Sequence, residues 1–221
     1  MDWNVKDLSR HEASKILHST IMPRPIAFIT TVNPDGSTNA APFSFFNVLC
    51  TQPAIVAIGL DGDVEAEDGL KDTARNIAAN GEFVINLVDE GLVEAMNICS
   101  IDFPTGMDET VAAGLELVPS RQVRAPRIAT SPVQFECRVM QRLPLVAGRC
   151  IVLGEVVHMH VRDDIVDEKF HIDIDRLNVI GRMHGAGWYT RTSGRFQVPQ
   201  INYAEWLARG QAGRKTDAPR D

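Results

Sequence analysis

Long hydrophobic runs are missing from this chain of 221 residues, and with them any stretch approaching the roughly 18 consecutive apolar residues of a membrane helix. The opening Met1-Asp2-Trp3-Asn4-Val5-Lys6-Asp7 has no apolar core of the secretory kind, so a cytoplasmic location is expected. Basic residues are outnumbered, 22 against 29, and a net charge of −7 gives no long-range attraction for phosphate backbones or anionic lipid. Neither nucleic acid nor a membrane is expected as a partner. Cysteine is scarce: Cys50, Cys99, Cys137 and Cys150 are far apart, form no C-x-x-C pair and sit in apolar runs. They read as reduced core residues, not as a disulfide framework or zinc knuckle. The chain also lacks a G-K-[ST] phosphate loop, a G-x-G-x-x-G fingerprint and a Ser-His-Asp motif.

What is present is the composition of an ordinary folded protein, 44% hydrophobic and 23% charged. Residues 1–200 show no compositional break and suggest one domain; 201–221 turn polar and read as a partly disordered tail. Helical spacing of Ala13, Ile16 and Leu17 predicts a helix over Arg10 to Thr20. The β-branched run Ile26 to Val32, the turn residues Asn33 to Ser37 and Asn39 to Ala41 predict a strand, a turn and a return strand. Further strands are predicted over Ala54 to Leu60 and Glu82 to Val88. Between them lie a solvated acidic loop around Asp61 to Asp68 and a helix capped by Asp72 or Thr73 and ended by Gly81. Leu92 to Ile98 and Glu109 to Ala113 should be helical. The alternating runs Val133 to Leu143 and Cys150 to Val161 predict a long hairpin. Strands outnumber helices and their connections are short, so the expected fold is mainly β with added helices, an antiparallel barrel and not a Rossmann sheet.

Two blocks carry the chemistry. In Lys71-Asp72-Thr73-Ala74-Arg75-Asn76-Ile77 an ammonium, a hydroxyl and the free N–H groups of a helix start can converge on one anion. An isolated K-D-T is usually no more than a helix start with a solvated lysine. In Asn39-Ala40-Ala41-Pro42-Phe43-Ser44-Phe45-Phe46-Asn47 a proline interrupts a strand amid three aromatics, which frees backbone groups for a polar heterocycle. A barrel corner with core aromatics would look the same.

Taken with Met22-Pro23-Arg24-Pro25, Glu82 to Asn86, Gly154 to Val157 and Gly181 to Tyr189, these blocks closely resemble the flavin reductase-like, FMN-binding split-barrel proteins related to flavoredoxin. The resemblance extends from about Ile21 through Tyr189. It implies a six-stranded antiparallel split barrel and a homodimer with FMN near its interface. It also implies that Lys71, Asp72 and Thr73 serve the phosphate, that Arg24, Thr30, Thr31 and Asn39 line the ribityl side, and that Ser44, Phe45 and Phe46 meet the isoalloxazine edge. Where many relatives have R-L-G-G, this chain has Arg182-Met183-His184-Gly185. His184 could contact the flavin or a stacked nicotinamide, or be a plain exposed histidine.

The implied activity is that of an NAD(P)H-dependent oxidoreductase with FMN as cofactor, serving a flavin-dependent oxygenase as its reductase. An FMN electron carrier exchanging electrons with protein partners, and a non-catalytic split-barrel protein, are the alternatives. The flavin supplies the chemistry, so no protein nucleophile is expected. His158 and His160 share a strand face and could join His171 and Asp163 around a metal, but H-x-H on a charged hairpin more often marks a solvated face, and no metal is expected. Asp108 and Glu109 should begin a helix after Met107, not form an acid/base pair.

Overall fold

The computed structural model describes residues 1–63, 66–103, 107–146 and 148–214, excepting the side chains of 210–214. Helix α1 (Arg10–Thr20) starts at a reciprocal cap. The Ser9 hydroxyl accepts the Glu12 N–H at 3.3 Å, and the Glu12 carboxylate accepts the Ser9 N–H at 2.8 Å. Strands β1 (Ala27–Val32), β2 (Thr38–Phe43), β3 (Phe46–Thr51) and β4 (Ala54–Leu60) follow, then helix α2 (Asp72–Asn80) and β5 (Glu82–Leu87). Gly81 ends α2 at φ 69°, in the left-handed region. A helical section holds α3 (Val93–Ile98) and α4 (Glu109–Ala112). The short β6 (Leu117–Val118) and β7 (Arg127–Ile128) lead to the hairpin of β8 (Val133–Pro144) and β9 (Cys150–Val161). Last come α5 (Ile174–Leu177), the pair β10 (Ile180–Arg182) and β11 (Tyr189–Arg191), and α6 (Tyr203–Arg214).

Seven strands make one antiparallel sheet in the order β2-β1-β5-β8-β9-β4-β3. Its two edge strands, β2 and β3, are consecutive in the chain and separated only by Ser44 and Phe45. A sheet whose edges are joined by two residues must curl until they meet, which makes it a barrel. The Gly59 N–H donates to the Phe45 carbonyl at 2.7 Å and pins the junction.

Both faces of β1 are buried, so it reads as an unbroken apolar run and not an alternating one. Ala27 and Ile29 join Ile58, Phe83, Ile85 and Val152 inside the barrel, where Ala74 and Ile77 of α2 also pack. On the other face Phe28 clusters with Leu92 and Met96 of the helical section and Ile128 of β7. Each fully buried Ile or Phe contributes about 1.5–3 kcal/mol, so these clusters hold β1, β2 and α2 in fixed register.

Several sequence expectations need correction. The sheet has seven strands where six were expected, because the kink at Ser44 and Phe45 divides one bent strand into β2 and β3. Neither Asp72 nor Thr73 caps α2. Lys71 holds the N-cap position without a side-chain cap, since the Asp72 carboxylate pairs with Arg75 and the Thr73 hydroxyl with Asn39. Cys50 is exposed on β3, whereas Cys99, Cys137 and Cys150 are buried, all four as free thiols. Residues 203–214 of the polar tail are helical; 215–221 lie outside the described residues, as does Pro104-Thr105-Gly106 in the break before α4. Among the described residues no helix is long and apolar enough to cross a membrane.

Candidate functional site

A polar network joins β1, β2 and the first turn of α2. Asn39, 4% exposed, donates through Nδ2 to the Thr73 hydroxyl at 2.8 Å and the Thr31 hydroxyl at 3.3 Å. Asn76, one turn along α2, donates to the same Thr31 oxygen at 3.0 Å and to Asn33 Oδ1 at 2.7 Å. Both threonine oxygens are acceptors here, which leaves each hydroxyl proton for another partner. Pairing Thr31 with Asn39 across β1 and β2 fixes this geometry and brings Thr31, Asn39 and Thr73 together.

Beside the network lies the uncapped start of α2. The N–H groups of Asp72, Thr73 and Ala74 have no intrahelical partner by position, and no side chain caps them. With the Thr73 hydroxyl they form a donor-only surface at the positive end of a helix dipole. Lys71, at the N-cap position, is half-exposed, its Nζ 3.8 Å from Asp102 Oδ1. Asp72 is turned aside to Arg75, which also takes both oxygens of Asp68 at 2.8 and 2.9 Å. That fork holds the Asp68 carboxyl down at about 2. Glu109 accepts the Ala40 N–H of β2 at 3.2 Å. Burial pushes its pKa up against that bond, and the charges of Asp72 and Asp108 push the same way.

Just past the end of β2 a second centre forms around Arg24, 7% exposed. Its Nη1 donates to the carbonyls of His18 and Ile21 at the end of α1, at 2.8 and 2.9 Å. Nη2 donates to the Met183 carbonyl at 3.2 Å, and Nε to the Ser44 hydroxyl at 3.2 Å. Backbone bonds of 2.9 and 2.8 Å tie Arg24 to Arg182 of β10. Burial lowers the Arg24 pKa, and the charge of Arg182 lowers it further. Phe45, 46% exposed, stacks on His18 with ring centroids 5.3 Å apart. A cavity of about 390 Å³ opens next to Ser44, between β2, α3 and the loop joining β10 to β11.

Residues 18–182 match the model of the flavin reductase like domain. The chain is 40% identical over 210 residues to an uncharacterized protein of Deinococcus radiodurans, covering 92% of this chain and 91% of that one. The chain belongs to the flavin reductase-like family. Its fold is similar to that of 2-nitrobenzoate 2-nitroreductase from Pseudomonas fluorescens, with a TM-score of 0.83 and 32% identity over 92% of this chain and 98% of that one. It is also similar to nitrilotriacetate monooxygenase component B from Bacillus cereus, with a TM-score of 0.84 and 27% identity over 90% and 98% of the two chains. The barrel is the split barrel of flavin reductases.

In this flavin reductase-like chain the residues expected at a flavin fall into separate places. Thr31, Asn39, Lys71 and Thr73 gather at the α2 start; Arg24, Ser44 and Phe45 gather past β2. Phe46 packs against the barrel core. Thr30 faces away from Thr31, its hydroxyl donating to the Pro126 carbonyl and accepting from Asn86. His184 is exposed and stacks on Trp188, with ring centroids 5.9 Å apart. Asn76 and Arg182 were not among the expected site residues. Asn76 stands three residues after Thr73 on α2, a spacing that puts both on one helix face, and Arg182 opens the motif in which His184 drew attention. His160 is held by the buried Glu136 at 2.6 Å and touches His158, while His171 bonds Asp167 at 3.0 Å. Among the described residues no three potential ligands gather around a metal position.

Proposed function

We propose that this protein is an FMN-dependent flavin oxidoreductase that takes hydride from NAD(P)H and delivers reducing equivalents to a flavin-dependent oxygenase. The observation that carries the reading is the uncapped start of α2 beside the Thr73 hydroxyl, a donor-only surface that fits a phosphate. FMN, when bound, supplies the redox chemistry by accepting a hydride and passing electrons on.

The residues of the chain have simpler work. First-turn N–H groups of α2, the Thr73 hydroxyl and Lys71 hold the phosphate by charge-assisted bonds. Asn39 and Asn76 keep the two threonine hydroxyls turned to their task. Arg24 fixes Ser44 and the β10 edge, so that the ring end meets a rigid wall. Asn39 lies within β2 and Ser44 just past its end, five residues on, so an extended ligand that reaches both runs along that strand. His184 and Trp188, exposed in the loop after β10, would flank the ring or a nicotinamide.

A component B of a monooxygenase among the similar structures supports the oxygenase partner. The exposed edge strand β3, with Val48 and Leu49 57% and 62% exposed, supports a homodimer. The test is FMN titration by fluorescence, followed by NAD(P)H oxidation with and without added FMN. Absence of both binding and stimulated oxidation ends the proposal. A protein that purifies tightly yellow yet is reduced only slowly by NAD(P)H is instead an electron carrier.

A further inference from the structure

The cavity beside Ser44 has a chemistry the phosphate site does not explain. Ile26, Phe43 and Met96 give it apolar walls, Asn97 and Ser100 add polar edges, and Arg182 closes one side. The Arg182 guanidinium lies 4.8 Å above the Tyr189 ring and donates to the Gly185 carbonyl. Directly behind Ser44 sits the second guanidinium, Arg24, bonded to carbonyls and a hydroxyl and to no carboxylate. Among the described residues neither arginine forms an ion pair. Eight other lysine and arginine side chains of this acidic protein do find carboxylates. Two neighbouring positive charges left uncompensated at an apolar pocket present a strong potential to a small anion.

We propose that this cavity binds a planar aromatic carboxylate, its carboxyl group on Arg182 and its ring between Ile26, Phe43 and Met96. The volume, about 390 Å³, is at the small end of the range for ligand sites. Arg182 is already stacked on Tyr189 and needs little further ordering to meet a carboxylate with its planar fork. None of Thr31, Asn39, Lys71 and Thr73 lines the cavity, so the anion is held apart from the phosphate grip. The proposal rests on the flavin reading for the anion's role, a co-substrate held beside the flavin ring, but not for its binding.

Calorimetric titration of sodium benzoate, with benzamide as its neutral counterpart, tests this on the protein with and without saturating FMN. Benzoate is expected to bind in both forms, at least tenfold more tightly than benzamide. Arg182→Gln should abolish that preference. Ala186→Phe, which fills the cavity from an exposed position, should block benzoate while FMN still binds, and it guards against an Arg182 variant that misfolds. Equal affinities for the two probes, or no benzoate binding at millimolar concentration, overturn the proposal. So does displacement of benzoate by FMN, which would make the cavity the seat of the flavin ring. Benzoate binding in a protein that ignores FMN would leave this site standing and remove the flavin reading instead.

Discussion

Lys71 keeps 48% of its side chain in solvent and meets Asp102 at a long 3.8 Å, so its existing ion pair is weak and easily exchanged for a better anion. Lys71→Ala should weaken FMN by about 1.5 kcal/mol, the low end for bonds to charged groups because the position is half-exposed. A fluorescence titration should read roughly a tenfold higher Kd, and an unchanged value removes Lys71 from the site. Glu136 is the opposite case, with no exposed surface. Burial pushes its pKa up, but the Arg121 and Gln122 N–H groups and His160 outweigh burial and hold it below the ordinary carboxylate value. A depressed folded-state value stabilises the fold fully above the unfolded pKa, and that contribution is lost as pH falls through the folded one. Asp68, held at about 2, loses its contribution over the same acid range. The part of the thermal stability that these two carboxylates contribute should therefore be level above about pH 5 and decline below about pH 4. Glu136→Gln should cost about 3 kcal/mol in urea denaturation at neutral pH, with the difference from the parent narrowing as the medium is acidified.

At the scale of elements, the barrel tolerates little added volume. A Cβ on Gly154 of β9 would stand 2.6 Å from Phe83 Cζ and 3.5 Å from Cys137 Cβ, on buried residues of β5 and of the adjoining β8. Gly154→Ala should destabilise by about 1–3 kcal/mol through overpacking, as a lower urea midpoint, with FMN affinity retained by the fraction that folds. Elements with strong local signals were legible from sequence: the helix over Arg10 to Thr20, with Ala13, Ile16 and Leu17 on one face, and the long hairpin of β8 and β9 with their alternating runs. Strand β3 was not, because its residues Asn47 to Thr51 are exposed while its composition is that of a core strand; Cys50 was misplaced for the same reason. The cap of α2 was missed because Arg75, one turn along the same helix, claims the Asp72 carboxylate, and Asn39, 34 residues away, claims the Thr73 hydroxyl that would locally have served it. Local propensity cannot foresee a competitor supplied by the tertiary fold.

For the whole molecule, the family, the barrel and a site with a phosphate end and a ring end could be read from ordered motifs, whereas the division of the ribityl-side residues, Arg24 joining Ser44 and Thr30 leaving the site, could not. That division depends on which face of β1 and β2 each residue occupies, and Thr30 shows how one position of alternation sends a hydroxyl to a different partner. An exposed apolar edge strand is a surface that a second copy can cover. Light scattering should find twice the 24.4 kDa of one chain, and Leu49→Lys on β3 should shift the population toward monomer; a monomeric parent chain at micromolar concentration removes the homodimer.

The bent strand running from β2 into β3 touches both centres, Asn39 at the α2 start and Ser44 against Arg24. Five residues of extended chain measure about 16–17 Å, a span fixed by covalent geometry. The strand is thus a gauge for ligand length: riboflavin, which ends before the phosphate, meets only one of its two stops and should bind more weakly than FMN in the same titration.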